Sequence, residues 1–89
     1  MVRLRLFAQA REAAGTGSDT FGVAELGVLA GGDGATVGSV IAAAQARYGP
    51  AFTAVLPMCK LWLNGDAAEA SSPVHDGDEV AVLPPVSGG

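Results

Sequence analysis

Hydrophobic and polar residues alternate at the start of the chain. Aliphatic side chains occupy every second position of residues 2–7, and Arg3, Arg5 and Phe7 lie between them. A period of two is typical of a strand with one buried face. The sequence therefore predicts a first strand over residues 2–7, followed by a helical turn over residues 8–14 that a glycine closes.

Glycine dominates the next segment. Seven of the thirteen glycines lie within residues 15–35, and glycine weakens regular secondary structure because its backbone is so free. We expect a second strand between Thr20 and Leu29 that pairs back onto the first strand as a hairpin.

Helical spacing begins after this segment. Thr36 suits the N-cap of a helix that runs to Tyr48, with Gly49 as its C-cap and Pro50 as its stop. The apolar residues of this helix fall on one stripe, which predicts packing against a sheet. The residues of the stripe are Val37, Val40, Ile41, Ala44 and Tyr48.

Alternation returns at residues 58–64, after a short irregular helix predicted over residues 51–56. The inward residues are Cys59, Leu61 and Leu63, and the outward residues are Lys60 and Trp62. The remaining predicted elements are a turn at residues 64–66, a strand near 67–69, a turn at 75–78 and a last strand over 79–83.

This order of strands around one main helix predicts the fold. It is typical of an α+β, ubiquitin-like β-grasp fold, in which the helix packs on one face of a mixed sheet. We assign residues 1–83 to this domain. Residues 84–89 are expected to form an extended, flexible C-terminal Gly-Gly tail, because its two leading prolines end sheet pairing.

Composition narrows the functional classes. The 89 residues are 49% hydrophobic and 16% charged, which favours a packed globule over disorder. A net charge of −4 argues against nucleic acid and anionic membranes as partners. No apolar run reaches the roughly 20 residues of a membrane span. One cysteine, and an N-terminus without a signal-peptide pattern, predict a cytoplasmic protein.

The usual catalytic constellations are missing from the sequence. The glycine-rich segment lacks the lysine and the spacing of a phosphate-binding loop, and one cysteine and one histidine cannot build a zinc site. Cys59 is interpreted as a small buried hydrophobe and His75 as a solvated turn residue. A turn and a strand start explain Asp76, Asp78 and Glu79, so we expect no metal or cofactor bound by this chain.

One candidate site is the outward face of the sheet. By alternation Phe7 and Trp62 share that face, and Leu83 reaches it from the last strand. Aromatic and aliphatic side chains together on a surface favour a docking patch for a partner protein. The alternative is that Trp62 packs under the loop around Pro57.

The second candidate site is the C-terminal tail. Pro84 and Pro85 fix the direction of the backbone, and six residues at ~3.3 Å each reach roughly 20 Å, enough to enter a channel in another protein. Gly88 and Gly89 have no Cβ, so a narrow tunnel can close around them. The terminal carboxylate can attack the α-phosphate of ATP, and sulfide equivalents or thiols can then displace the adenylate.

Three segments carry a family resemblance. They are LFAQAREAAGT at residues 6–16, LNG at residues 63–65 and DGDEVAVLPPVSGG at residues 76–89. These resemble the A-x-x-R-E-x-x-G start, the strand-ending turn and the C-terminal signature of the MoaD/ThiS sulfur-carrier family. The resemblance is to its MoaD-like branch, the small subunits of molybdopterin synthase. The segment of residues 17–35 departs from the family pattern, because it is longer and richer in glycine than we expect for the family.

The resemblance implies a sulfur-carrier cycle. An E1-like adenylyltransferase would use Mg-ATP to activate Gly89, and a sulfurtransferase would convert the adenylate to a thiocarboxylate. The tail would then enter the large synthase subunit, whose pocket catalyses sulfur transfer to cyclic pyranopterin monophosphate. Family members form a heterotetramer of two small and two large subunits. The resemblance also implies partner contacts at Arg11, which matches the family's arginine after the first strand, and at Val86 in the tail.

Three alternatives stay open. One is a sulfur carrier of the same fold that serves thiazole or cysteine synthesis, although the segment Pro84, Pro85, Val86 favours the molybdopterin branch over the thiazole branch. Another is a ubiquitin-like modifier that is attached to lysines through Gly89 and therefore predicts isopeptide adducts. The third is an inert interaction domain, for which trimming the tail has no effect.

Overall fold

Strands and short helices alternate along the chain. The structure is a computed structural model that describes residues 1–32 and 34–85. The elements are β1 (Val2–Leu6), α1 (Ala8–Ala14), β2 (Ser18–Phe21), α2 (Val23–Leu29), α3 (Val37–Tyr48), α4 (Pro50–Val55), a 3-10 turn (Leu56–Met58), β3 (Lys60–Leu63), β4 (Asp66–Ala67) and β5 (Glu79–Leu83). Of the helices described, none has the length and apolar character needed to cross a bilayer.

The strands form one mixed sheet in the order β2-β1-β5-β3-β4. β1 and β5, the first and last strands, pair in parallel at its centre, with Leu4 opposite Val80 and Leu6 opposite Val82. The other neighbouring pairs are antiparallel. This five-stranded mixed sheet with its helices confirms the predicted β-grasp fold.

One face of the sheet forms the hydrophobic core. The inward side chains of β1 and β5 are buried, whereas the arginines between them on β1 are exposed, so the predicted alternation of β1 is confirmed. The largest fully buried side chains are Phe21, Phe52, Leu4, Leu6, Leu26, Val2, Val37, Val40, Val80 and Val82. Burial of apolar surface is the main favourable contribution to folding, and each such side chain supplies about 1.5–3 kcal/mol.

Helix α3 covers this core and begins with a capping box. The Thr36 hydroxyl accepts a hydrogen bond from the Ser39 N–H at 3.1 Å, and the Ser39 hydroxyl accepts one from the Thr36 N–H at 2.9 Å. The predicted N-cap and the Gly49 C-cap are confirmed, and every residue of the predicted stripe is buried or half-buried. Pro50 ends α3 but also begins α4, a position where its missing N–H costs nothing.

The segment after α1 differs in part from its prediction. β2 spans Ser18–Phe21 and pairs antiparallel with β1, so the predicted pairing is confirmed. The strand nevertheless starts earlier than predicted, and Val23–Leu29 is helix α2 rather than strand. Val23 and Leu26 both pack on the core. A strand would send side chains three residues apart to opposite faces, whereas a helix brings them to the same side.

The strand predicted at residues 67–69 is shorter and begins one residue earlier. β4 covers Asp66–Ala67, after a turn in which Asn64 and Gly65 have positive φ angles of 51° and 86°. Beyond β4 the chain leaves the sheet, and carbonyls of residues 70 and 72 accept hydrogen bonds from the start of α3. The Gly38 N–H donates to the Ala70 carbonyl at 2.8 Å.

A polar cluster ties β2 to the end of α3. The Arg47 guanidinium lies 2.9 Å from the Asp19 carboxylate and 4.1 Å from the centre of the Phe21 ring. The Tyr48 hydroxyl donates to the same carboxylate at 2.7 Å. Burial acts to raise the pKa of Asp19, but the hydrogen bonds from Tyr48 and Arg47 prevail and lower it. Burial, followed by the bond to Asp19, raises the pKa of Tyr48.

Candidate functional site

The outer face of the sheet remains open to solvent. Antiparallel pairing sets Trp62 opposite Ala81 and Lys60 opposite Leu83, and directly paired residues point to the same side of a sheet. On the other edge of β5, Arg5 of β1 also pairs with Ala81. Arg5, Ala81 and Trp62 therefore lie on the same face of the sheet, on three neighbouring strands. Charged and aromatic side chains therefore share a face whose reverse is the hydrophobic core.

Phe7 lies where β1 ends and α1 begins. Its N–H donates to the Val82 carbonyl at 3.3 Å, so the position continues the parallel pairing of β1 and β5 by one residue. Phe7 is 38% exposed, and the Arg5 guanidinium lies 5.6 Å from the centre of its ring. An aromatic ring held in place by its strand and left open to solvent is suited to contact another protein.

Trp62 and Leu83 are half-buried on this face. Trp62 has small residues as strand partners, Ala81 on β5 and Ala67 on β4. It lines a shallow groove with Ala67, Ala68 and the β3 residues around it. Phe7, Trp62 and Leu83 thus lie on three neighbouring strands or their immediate ends, as alternation predicts, and we call these three residues the docking surface. Its use by a partner stays a prediction.

The tail begins directly beside this surface. Pro84 is buried and Pro85 is exposed, so the chain emerges from the packed domain between these two prolines. The predicted site residues Val86, Gly88 and Gly89 lie outside the described residues. The chemistry expected at the terminal carboxylate therefore stays a prediction.

Arg11 is brought to the outer face by α1. It lines an open depression together with Arg3, Arg5, Gly17 and Ser18. Arg11 was predicted as a partner contact by resemblance, whereas no role was predicted for the two arginines of β1. The signal for them was the alternation that sets them on the same side as Phe7.

Polar residues near the last strand have structural partners. The Asp78 carboxylate accepts hydrogen bonds from the Asn64 amide at 3.1 Å and the His75 N–H at 2.8 Å, which lower its pKa. Asp76 pairs with the N-terminal ammonium group. The side chain of His75 is 79% exposed, as predicted for a turn residue. Within residues 1–32 and 34–85, no group of three or more metal-ligating side chains occurs.

Cys59 is half-buried against the core. Its Sγ donates to the Val55 carbonyl at 3.3 Å, and burial raises the pKa of the thiol. A raised pKa favours the neutral thiol, which is a poor nucleophile. This environment agrees with the prediction of a small packed residue. The described residues thus offer a docking surface and a basic depression rather than a catalytic constellation.

Sequence comparison places almost the whole chain within one family model. Residues 4–89 match the ThiS family. A molybdopterin synthase sulfur carrier subunit from Chlamydomonas reinhardtii is 37% identical over 90 residues, which cover 99% of this chain and 98% of that protein.

Solved structures share the architecture. The crystal structure of SAMP1 from Haloferax volcanii, a small archaeal modifier protein, has a TM-score of 0.73 and 30% identity, covering 99% of this chain and 98% of that one. Subunits 1 and 2 of molybdopterin-converting factor from Helicobacter pylori 26695 have been solved as a complex. The matching chain has a TM-score of 0.65 and 22% identity, covering 99% of this chain and 97% of that one, a likeness of fold.

Proposed function

The chain belongs to the ThiS family, and from this membership we propose that it is the sulfur carrier subunit of a molybdopterin synthase. The observation that carries the proposal is the 37% identity to a subunit of that name over nearly the full length of both chains. The outer face with its docking surface is consistent with a chain that works by binding to other proteins.

The proposed chemistry takes place at Gly89. An E1-like adenylyltransferase holds Mg-ATP, and the Gly89 carboxylate attacks the α-phosphorus to form an acyl-adenylate and release pyrophosphate. Sulfur at the oxidation level of sulfide, supplied through a sulfurtransferase, attacks the acyl carbon and displaces AMP, which leaves a thiocarboxylate. Two terminal glycines suit both steps, because no Cβ obstructs the carbonyl.

The second half of the cycle takes place in a large synthase subunit. The tail enters the pocket of that subunit, which catalyses transfer of sulfur to cyclic pyranopterin monophosphate on the way to molybdopterin. Two small and two large subunits form the complex. The small subunit donates the sulfur, whereas the large subunit supplies the catalytic groups. We place this cycle in the reducing cytoplasm, in line with the single cysteine.

The docking surface has a defined part in this scheme. Leu83 ends β5 immediately before the two prolines, and Phe7 continues β1 beside it. A partner that covers these residues fixes the root of the tail and thereby limits the positions that its end can reach. Positioning of this kind raises the effective concentration of the sulfur at the acceptor.

A second candidate function is that of a ubiquitin-like modifier. The 30% identity and TM-score of 0.73 to SAMP1 favour it, since that fold also serves a protein described as a modifier. Both functions begin with activation of Gly89 but differ in the acceptor. A carrier yields a thiocarboxylate, whereas a modifier yields an amide bond to a lysine of another protein.

Intact-mass analysis of the protein isolated from its own cells separates the two functions. Replacement of one terminal oxygen by sulfur adds about 16 Da to the chain, and the C-terminal peptide locates the change. A thiocarboxylate is the result expected of a carrier. If the chain is instead recovered in isopeptide adducts and the free form holds only carboxylate, the modifier function replaces the carrier function.

A further inference from the structure

Three of the four arginines of the chain gather at one place. Arg3, Arg5 and Arg11 line an open depression with Gly17 and Ser18, and we call it the arginine groove. The chain as a whole has nine acidic and five basic residues and a net charge of −4. The groove is thus locally positive although the protein as a whole is negative. It lies on the same face of the sheet as the docking surface.

Each arginine is positioned by the fold. Arg3 and Arg5 are the outward residues of β1, between side chains that the core buries. Arg11 extends from α1 and rests against the backbone of Gly17, where an added Cβ would lie 3.3 Å from its Nε. Glycine at this position therefore leaves room for the guanidinium.

The charge of the groove is only partly neutralised. In the described part of the chain, the ion pairs of arginine are Arg5 with Glu79 at 3.5 Å and Arg47 with Asp19 at 2.9 Å, which leaves Arg3 and Arg11 without a carboxylate partner there. Asp78 and Glu79 line a separate depression that also includes Arg3, and Glu12 lines another that also includes Arg11. The lining residues themselves include no acidic side chain among those described.

We propose that the arginine groove binds a carboxylate-bearing segment of the protein that covers the docking surface. Guanidinium groups form paired hydrogen bonds with carboxylates, so a segment rich in aspartate or glutamate fits the groove better than a neutral one. The groove is continuous with the docking surface, because the Arg5 guanidinium lies 5.6 Å from the centre of the Phe7 ring. The identity of this partner as the large synthase subunit rests on the proposed function.

The docking surface and the arginine groove have different roles in recognition of the partner. Apolar contacts at Phe7 and Leu83 hold the complex together, and the groove steers the encounter because charges act over a longer range. The groove lies along β1 and β2, whereas the tail leaves from the end of β5. Contacts at both places fix the rotation of the domain on its partner, and with it the direction of the tail.

The test compares two variants of equal net charge. Arg3→Ala/Arg11→Ala removes both unpaired arginines, while Ala24→Glu/Ala46→Glu changes the net charge equally at exposed positions of α2 and α3. Binding to the cognate large subunit is measured by stopped-flow fluorescence and calorimetry at low and high salt. At low salt the arginine variant should bind about tenfold more weakly than the wild type, mainly because it associates more slowly. At about 0.5 M salt its affinity should approach that of the wild type, because dissolved ions then screen most of the attraction between the charges.

Two results would overturn the proposal. One is an arginine variant that binds like the wild type at low salt. The other is an equal loss in the matched variant, which would assign the effect to net charge. If the wild-type chain itself does not bind the large subunit, the proposed function fails, and the groove is tested by the second measurement.

The second measurement needs no partner protein. Hexaglutamate is titrated into the isotope-labelled full chain, with hexalysine and pyrophosphate as comparison probes. We expect hexaglutamate to shift the amide signals of Gly17 and Ser18 and the arginine Nε signals, and we expect those shifts to vanish in the arginine variant. A groove that responds to pyrophosphate but not to hexaglutamate binds a phosphate group, and the proposal is then wrong.

Discussion

The two faces of the sheet are built from the same strands but carry different residues. The inner face holds buried aliphatic side chains that α3 covers, and the outer face holds arginines, Lys60 and half-exposed aromatic residues. Because neighbours along a strand point to opposite sides, β1 alone supplies Leu4 to one face and Arg3 and Arg5 to the other. We therefore expect substitutions at neighbouring positions of one strand to affect either stability or partner binding, but not both.

The largest effect is expected at the end of the tail, which the sequence predicts to extend beyond both faces of the sheet. Deleting Gly89 should abolish thiocarboxylate formation, because the reacting carboxylate moves to Gly88. The midpoint of thermal unfolding should stay within ~2 °C, since a short terminal segment buries little surface. Mass spectrometry of the C-terminal peptide and calorimetry measure the two quantities. A marked fall in thermal stability would show that the tail belongs to the packed domain.

The next effect concerns the inner face. Leu4→Ala should lower the free energy of unfolding by about 3 kcal/mol, because it removes a fully buried side chain and leaves a cavity. Arg3→Ala is the matched control on the adjacent, outward position and should change stability by less than about 0.5 kcal/mol. Urea unfolding measures both. Similar losses in the two variants would contradict the separation of the faces.

A smaller effect is expected at the outer face. Phe7→Ala should weaken binding to the large subunit about thirtyfold, or ~2 kcal/mol, since truncated interface aromatics commonly cost this much. The fold of the variant should survive with a modest loss of stability because Phe7 is already 38% exposed. Calorimetric titration of Phe7→Ala, Trp62→Ala and Leu83→Ala decides the matter. Unchanged affinity in all three would remove the docking surface from the scheme.

The smallest effect is at the polar cluster beside the inner face. Tyr48→Phe removes the hydrogen bond to Asp19 and should cost about 1 kcal/mol at pH 7. The lowered pKa of Asp19 means that its ionised form stabilises the fold above pH ~4, and that this contribution is lost as the pH falls through the folded-state pKa. The difference between variant and wild type should therefore shrink at acidic pH. A difference independent of pH would rule out the charged hydrogen bond as its source.

The elements with a clear hydrophobic period were predictable from the sequence. β1, α3, β3 and β5 each combine regular spacing with a turn or cap signal, and the structure places them within a residue or two of the prediction. α2 was not predictable, because Leu26 is its only buried residue and one position cannot define a period. The glycines in and around it also weaken the signal of any regular element.

The candidate site, too, could be predicted only in part from the sequence. Alternation placed Phe7 and Trp62 on one face because that inference needs only local geometry. The arginine groove depends on tertiary contact, since Arg11 on α1 meets Gly17 after the chain has turned back toward β1. The bond between Tyr48 and Asp19 joins residues 29 positions apart and has no local signal. Such pairs become visible only when the packing of the elements is known.

The parallel pairing of β1 and β5 determines how the domain responds to mechanical force. A pull between Met1 and Pro85 acts along the two strands in opposite directions, so it shears the pairs from Arg3 and Glu79 to Leu6 and Val82 together. β5 is also held on its other edge by β3. The bonds share the load rather than opening one after another, as they would at the end of a hairpin. A protein that draws the tail into a narrow channel therefore pulls against the most strongly anchored strand of the sheet.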